Sequence, residues 1–327
     1  MNRFLIIQTA FLGDVILATP VVSELKRIYP DAKIDVLVRK GNETLLQHNP
    51  NINNTLVFDK SSSKFGALKR IIKEVRQVKY TEVINLQRYA SSGIICLFSR
   101  SKSRIGFTKN AFPFIYNKRI IHSLSEGDHE VTRNLKTIAH HGAKQIKRPE
   151  LFPPESAYKV VKQFKSTPYY CIAPASVWYT KQLPKEKWVE LTRILIKKGT
   201  VLLIGGPSDK ELCAEIAAEF DAVQVKNIAG NHSLLESAAL MESAEINYVN
   251  DSGPQHIASA MNAPVISFFC STVPDFGFGP LSDRSKIVQT DEELTCKPCG
   301  IHGYKSCPKG HFKCGKNISI NEAITSI

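Results

Sequence analysis

The residues whose types and spacing suit chemistry fall in four stretches. Val249-Asn250-Asp251-Ser252-Gly253-Pro254-Gln255-His256 reads as the end of a buried strand, a tight turn and the start of a helix. Asp, Ser and Gly supply the turn, and Pro254 suits the first helical position, where its missing N–H would have no partner anyway. A helix start offers free N–H groups and a partial positive charge, which together seat phosphate. Gly253 lets a ligand come close to the backbone, and His256 in the first turn can point at the same ligand. The bland alternative is a capped helix with a surface histidine. In the second stretch, Gln8-Thr9-Ala10-Phe11-Leu12-Gly13-Asp14-Val15, strand becomes helix at Gly13-Asp14. Asp14 is there either an N-cap, the commoner role by spacing alone, or a general base acting on a hydroxyl. The third stretch, Ala173 to Pro184, follows a strand and carries Lys181. Its ammonium can neutralise a departing diphosphate or simply face solvent.

The fourth stretch holds Cys296-Lys297-Pro298-Cys299, Cys307 and Cys314, with His302 and His311 among them. One C-x-x-C followed by two more cysteines suits a structural four-sulfur zinc site, although the later gaps are not those of a standard ribbon. Disulfides and free thiols are the competing readings, and a reducing compartment disfavours disulfides. A catalytic metal is not expected there, because four thiolates leave no open position. No stretch fits the dinucleotide fingerprint or a Walker A loop: neither Phe11-Leu12-Gly13-Asp14 nor Ile204-Gly205-Gly206-Pro207 has the required glycines. That disfavours a dehydrogenase or a P-loop enzyme.

The elements that must position these residues alternate from the start. Phe4 to Ile7, Ile34 to Val38, Leu56 to Phe58 and Val83 to Leu86 read as strands, with helices over Val15 to Ile28 (kinked at Pro20), Asn42 to His48 and Phe65 to Val78. Arg104 to Phe107 reads as a further strand and Glu130 to His141 as a helix stopped by Gly142. A proline-rich break at Arg148 to Pro154 marks the approach to a domain boundary. The alternation restarts with strands at Tyr169 to Ile172, Val201 to Ile204, Ile246 to Val249 and Val265 to Phe269. Helices fall at Glu186 to Lys198, Asp209 to Glu219 and Ser233 to Met241. This pattern predicts an α/β protein with two doubly wound domains, residues 1–160 and 161–327. Such sheets take ligands at the carboxyl ends of their strands, so a cleft between the domains is expected to hold the ligand.

A chain of 327 residues is long enough for two cores, and its formal charge of +13 implies an anionic partner. No apolar run is long enough to cross a membrane. Met1 to Val22 makes a poor signal peptide, being interrupted by Gln8 and Asp14. A cytoplasmic protein is expected, resting on a membrane through basic residues. Cys96, Cys171, Cys213 and Cys270 sit in apolar surroundings, as buried thiols would. A nucleic-acid-binding protein with a zinc knuckle is the rival from another class; the lysines are spread along the chain rather than clustered, so nucleic acid is not the expected partner.

Taken together and in order, the motifs resemble those of the bacterial heptosyltransferases, glycosyltransferase family nine, and among them the type II enzymes. Leu12-Gly13-Asp14-Val15-Ile16-Leu17-Ala18-Thr19-Pro20 resembles the family's N-terminal motif, and Ala173-Pro174-Ala175 with Lys181 its lysine loop. Leu203 to Asp209 resembles the following strand and turn, Asn250 to His256 the diphosphate-binding turn, and Pro264 to Phe269 with Gly279-Pro280-Leu281 its continuation. The resemblance implies a GT-B fold of two facing Rossmann-like domains, acceptor-binding first and nucleotide-sugar-binding second, the latter with a cysteine-rich tail. It implies inverting, metal-independent transfer of heptose from ADP-heptose to the phosphorylated lipid A–core of lipopolysaccharide at the inner face of the cytoplasmic membrane. The same fold acting on another nucleotide-sugar or acceptor is the nearer rival. By the same resemblance Asp14 is the catalytic base and Lys181 its catalytic partner at the departing ADP. Gly13, Asp251, Ser252, Gly253 and His256 hold the nucleotide-sugar, with Asp209 or Glu211 near the ribose. Arg88 and Arg104 lie on the acceptor side, and no cofactor serves catalysis. From their spacing rather than from the resemblance, Cys296, Cys299, Cys307 and Cys314 are expected to hold a structural zinc, ahead of free or paired thiols.

Overall fold

A computed structural model gives the fold, and it describes residues 1–61, 63–143 and 148–324. The chain divides into two compact units, Met1–Phe152 and Pro153–Ile327. The division falls within the proline-rich break and gives the helix Glu155–Val161 to the second unit.

The first unit is built on a parallel sheet of β1 (Arg3–Gln8), β2 (Lys33–Arg39), β3 (Asn54–Phe58), β4 (Glu82–Asn85), β5 (Ser103–Phe107) and β6 (Lys118–Ile120). Its order is β3-β2-β1-β4-β5-β6. The second unit repeats the scheme with β7 (Tyr169–Ala173), β8 (Thr200–Leu203), β9 (Val225–Asn227), β10 (Asn247–Asn250), β11 (Val265–Phe269) and β12 (Ser285–Gln289), in the order β12-β11-β10-β7-β8-β9. Each is the doubly wound order in which the chain builds outward from its first strand, then returns to build in the other direction. The α/β class read from the alternation holds in both units. The short strands β6, β9 and β12 and the helix Ala90–Phe98 carry too little pattern to be read from sequence.

The central strands are buried along their length, which is why they read as near-continuous apolar runs. Leu5, Ile7, Leu37, Phe58, Ile71 and Val83 anchor the first core. In the second, the helix Lys185–Leu195 buries Trp188, Leu191 and Leu195, with Trp188 edge-on to Phe268 at a centroid distance of 5.1 Å. The C-terminal segment belongs to that same core, contributing Phe312, Cys314, Ile318, Ile320 and Ala323.

Three helical expectations change, one of them being Glu130 to His141, which forms the helix Glu130–Lys136 and a separate 3-10 turn, Ala139–His141. Residues 12–28 are not one kinked helix but two, Leu12–Ile16 and Thr19–Ile28, because Pro20 sits in the first turn of the second, where it starts a helix more readily than it bends one. Residues 42–48 form only a 3-10 turn at Glu43–Leu45.

Candidate active site

In a doubly wound sheet, ligand-binding groups gather where the strand order reverses, at the carboxyl ends. In the first unit that point lies between β1 and β4, which pair in parallel. The segment after β1 carries Gly13 and Asp14; the segment after β4 carries Gln87 and Arg88. Gln87 Nε2 donates to Gln8 Oε1 at 2.5 Å across the junction, and Asn42 Nδ2 holds the Ala10 carbonyl at 3.0 Å. Asp14 is not the N-cap. Phe11 occupies that position, and Asp14 is the third residue of the helix Leu12–Ile16, in its first turn, with Gly13 just before it. Removal from water, reinforced by the negative charge of Glu130, pushes the Asp14 carboxyl up to about 6; backbone groups of Phe11 and Asp14 and the Arg88 guanidinium pull the other way. A carboxylate so tuned accepts a proton near neutral pH.

Glu130 gave no signal in the sequence. Burial alone would raise its pKa, but His122 and Arg133 outweigh burial and hold it below the usual range. Arg133 Nε lies 2.7 Å and His122 Nε2 3.0 Å from Glu130 Oε2. Glu130 therefore stays ionised and acts on Asp14 as a fixed negative charge. Arg88 is exposed and stacks over Tyr89 at 5.6 Å from the ring centroid. Arg104 is not gathered with them. It lies near the amino end of β5, with Nε on the Ile115 carbonyl at 2.8 Å and Nη1 on the Ser101 carbonyl at 3.2 Å.

In the second unit the reversal falls between β7 and β10, again a parallel pair. Lys181 ends a 3-10 turn, Tyr179–Lys181, beyond β7; Asp251 follows β10 directly. Their side chains meet, Lys181 Nζ to Asp251 Oδ2 at 2.7 Å, and Thr272 Oγ1 donates to the same oxygen at 2.6 Å. The fully buried Asn250 locks the two loops together: its Oδ1 accepts the Leu183 N–H at 2.9 Å and its Nδ2 donates to the Pro174 carbonyl at 2.8 Å. Ser252 caps the helix Gly253–Ala260 in extended geometry without a side-chain cap bond, so Gly253 is its first residue and Pro254 its second. His256 is buried in the first turn rather than on the surface.

Beyond β8, Asp209 Oδ2 accepts the Gly206 N–H at 2.8 Å and its Oδ1 the Ser208 hydroxyl at 3.0 Å. A Cβ on Gly205 would meet Asp209 at 2.8 Å, so the glycine makes room for the carboxylate that builds the turn. Glu211 stands exposed in the first turn of the helix Lys210–Ala217.

Sequence reading also missed the floor of the lysine loop. Thr180 Oγ1 accepts the Tyr304 N–H at 2.8 Å and the Ser271 hydroxyl at 3.0 Å, and its N–H donates to the Tyr304 carbonyl at 3.1 Å. Gly303, at φ +76°, packs where a Cβ would meet Thr180 Oγ1 at 2.9 Å and Lys181 Cγ at 3.0 Å. The cysteine-rich tail thus supports Lys181. Its four cysteines lie within electrostatic reach of one another, but no three of their sulfur atoms come within 4.8 Å of each other. Among the described residues the group whose ligand atoms converge within 4.8 Å is Glu82, His140 and His141, in the first unit. Cys299 Sγ donates instead to the Cys296 carbonyl at 3.0 Å, Cys296 Sγ lies 3.8 Å from His311 Nε2, and Cys314 is drawn into the core. Burial pushes the Cys314 thiol up to about 11. The expected structural zinc is therefore without support in this arrangement.

Two Rossmann-like units in tandem, each with its polar groups at the strand-order reversal, are the units of the GT-B fold. The model of glycosyltransferase family 9 (heptosyltransferase) matches residues 68–304. The chain belongs to that family. It is 30 % identical over 280 residues to lipopolysaccharide heptosyltransferase 3 of Escherichia coli, covering 80 % of this chain and 82 % of that one. A family 9 glycosyltransferase of Veillonella parvula has the same fold, with a TM-score of 0.86 at 19 % identity over 99 % of this chain and 96 % of that one. The E. coli ADP-heptose lps heptosyltransferase II gives a TM-score of 0.78 at 22 % identity, covering 96 % and 97 %. Among the described residues no helix is long and apolar enough to cross a membrane.

Proposed function

We propose that the protein transfers heptose from ADP-heptose to the phosphorylated inner core of lipopolysaccharide, with inversion and without a catalytic metal. The observation that carries this reading is the meeting of Lys181 with the Asp251-Ser252-Gly253 turn at the strand reversal of the second unit, in a chain of this family. A cation beside a helix start is suited to a pyrophosphate. The second unit accordingly binds the donor: Gly253 N–H and Lys181 Nζ hold the pyrophosphate, Ser252 and His256 line the same turn, and Asp251 orients Lys181. Asp209 shapes its loop, which leaves the exposed Glu211 as the acid for the ribose hydroxyls. The first unit serves the acceptor. Asp14 removes the proton from the acceptor hydroxyl, the oxygen forms its bond to the anomeric carbon, and the bond from that carbon to the ADP oxygen breaks. ADP leaves with the electron pair, and Lys181 and the helix start offset its growing charge.

The charge of +13 suits a phosphorylated lipid acceptor and peripheral contact with an anionic inner leaflet, and Arg88 is the cation offered on the acceptor side. The test is a panel of ADP-, UDP- and GDP-sugars, scored by thermal stabilisation and by mass-spectrometric transfer to truncated core acceptors. ADP-heptose should stabilise and be consumed. Turnover with another nucleotide-sugar and none with ADP-heptose would overturn the donor assignment.

A further inference from the structure

A second constellation lies at the opposite, amino-terminal edge of the first sheet. Glu82 opens β4 and is buried. Its Oε1 lies 2.9 Å from His141 Nε2 and its Oε2 3.2 Å from His140 Nε2. The two histidines are neighbours in the chain, yet both rings turn to one carboxylate because they end a 3-10 turn, Ala139–His141, closed by Gly142 at φ +80°. The rings lie with centroids 3.9 Å apart and are tilted by 39° to one another.

The outer contacts fix the inner ones. His141 Nδ1 is 3.0 Å from the Tyr29 hydroxyl, and its ring is held edge-on by Tyr29 and Phe4. Ser103 Oγ donates to Glu82 Oε2 at 2.8 Å. A metal-binding imidazole usually has its second nitrogen so engaged, and a ligating carboxylate is usually hydrogen-bonded. The histidine side chains are 27 % and 15 % exposed, which leaves an entry path and room for water. With metal–ligand distances of about 2.0–2.1 Å, a tetrahedral site has ligand–ligand edges of roughly 3.3 Å. The nitrogen–oxygen separations here, 2.9 Å to Oε1 and 3.2 Å to Oε2, are of that size, and one ligand atom from each of the three residues lies within 4.8 Å of the others.

We propose that Glu82, His140 and His141 bind a divalent transition-metal ion of the zinc, cobalt and nickel class. Two imidazoles and a carboxylate select such ions over magnesium and calcium, which favour all-oxygen sites. The site is remote from the edge that carries Asp14, so the ion ties structure rather than taking part in transfer. It pins the turn after the helix Glu130–Lys136, which carries Glu130, to the start of β4.

The test uses the full chain, stripped with chelator, desalted and titrated with cobalt(II), with zinc added separately in thermal melts. Wild type should take up one equivalent of cobalt with d–d absorption and no thiolate charge-transfer band. Zinc at a hundredfold excess over its dissociation constant should raise the melting midpoint by about 5 °C or more. His140→Ala and His141→Gln should each weaken uptake at least tenfold, and the conservative Tyr29→Phe, which retains the ring packing, should weaken it about tenfold. The double variant Cys296→Ser/Cys299→Ser should bind as wild type does. Absence of uptake by wild type overturns the proposal. So does a thiolate-type spectrum lost in the cysteine variant and kept in the histidine variants. Neither readout depends on sugar transfer, so the site stands or falls apart from the donor assignment.

Discussion

Lys181 Nζ and Asp251 Oδ2 lie 2.7 Å apart although seventy positions separate them in sequence, because β7 and β10 are adjacent at the point where the strand order turns back. The ammonium is held by a carboxylate that also accepts Thr272, so its position is set before any ligand arrives. Removing Lys181 takes away charge aimed at a leaving diphosphate. Lys181→Ala should lower kcat/KM by about 10²–10³ and weaken ADP binding, read by steady-state kinetics and by titration calorimetry. An unchanged kcat/KM would remove Lys181 from the proposed chemistry.

Asp251→Ala should act on the fold as well as on the site. Both partners are largely buried, the side chains being 14 % and 7 % exposed, and breaking such a pair from one side costs about 3 kcal/mol. The expected result is a clear drop in the denaturation midpoint together with weaker ADP binding. Loss of affinity at unchanged stability would mean that Asp251 is not what holds Lys181.

Asp14 must be ionised to accept a proton. With its pKa raised to about 6, kcat/KM should fall as pH drops through about 6 and level off above it. Asp14→Asn should lower kcat by about 10²–10⁴ with ADP affinity nearly unchanged. A wild-type rate in Asp14→Asn, or an acid limb that survives it, would exclude Asp14 as the base.

Glu130 raises the Asp14 pKa by its charge, so Glu130→Gln should move the acid limb of the pH–rate profile to lower pH. The sign follows because a carboxylate relieved of a neighbouring negative charge ionises more readily. The same change leaves Arg133 and His122 without their carboxylate and should lower the melting midpoint. A pH profile measured on folded Glu130→Gln that is unshifted would sever the two residues.

Gly303→Ala tests the support under the lysine loop. The backbone there is left-handed, and the added methyl would press on Thr180 and Lys181. The strain is about 1–2 kcal/mol, and donor affinity should fall with stability. A variant with wild-type melting and affinity would show that the tail does not position the loop.

Much of this arrangement is legible in the chain itself. Apolar runs of strand length, punctuated by glycine and proline and alternating with amphipathic helices, required two parallel sheets, since a strand buried on both faces has no polar side to show. The turn chemistry of Asp251-Ser252-Gly253 and the position of Asp14 just after the first strand follow from local rules, although the detail does not: Phe11, not Asp14, precedes the helix. What sequence could not supply is proximity between distant segments. Thr272 beside Asp251, Gly303 beneath Lys181 and Glu130 acting on Asp14 all arise from strand order and packing, which no local spacing encodes. The cysteines make the same point in reverse. Their spacing suggests a metal-ligand set, yet no three of their sulfurs come within 4.8 Å of one another, and Phe312 and Cys314 are buried in the second core. The histidines and Glu82, unremarkable in sequence, converge because the start of one strand and the end of one turn meet at a single sheet edge.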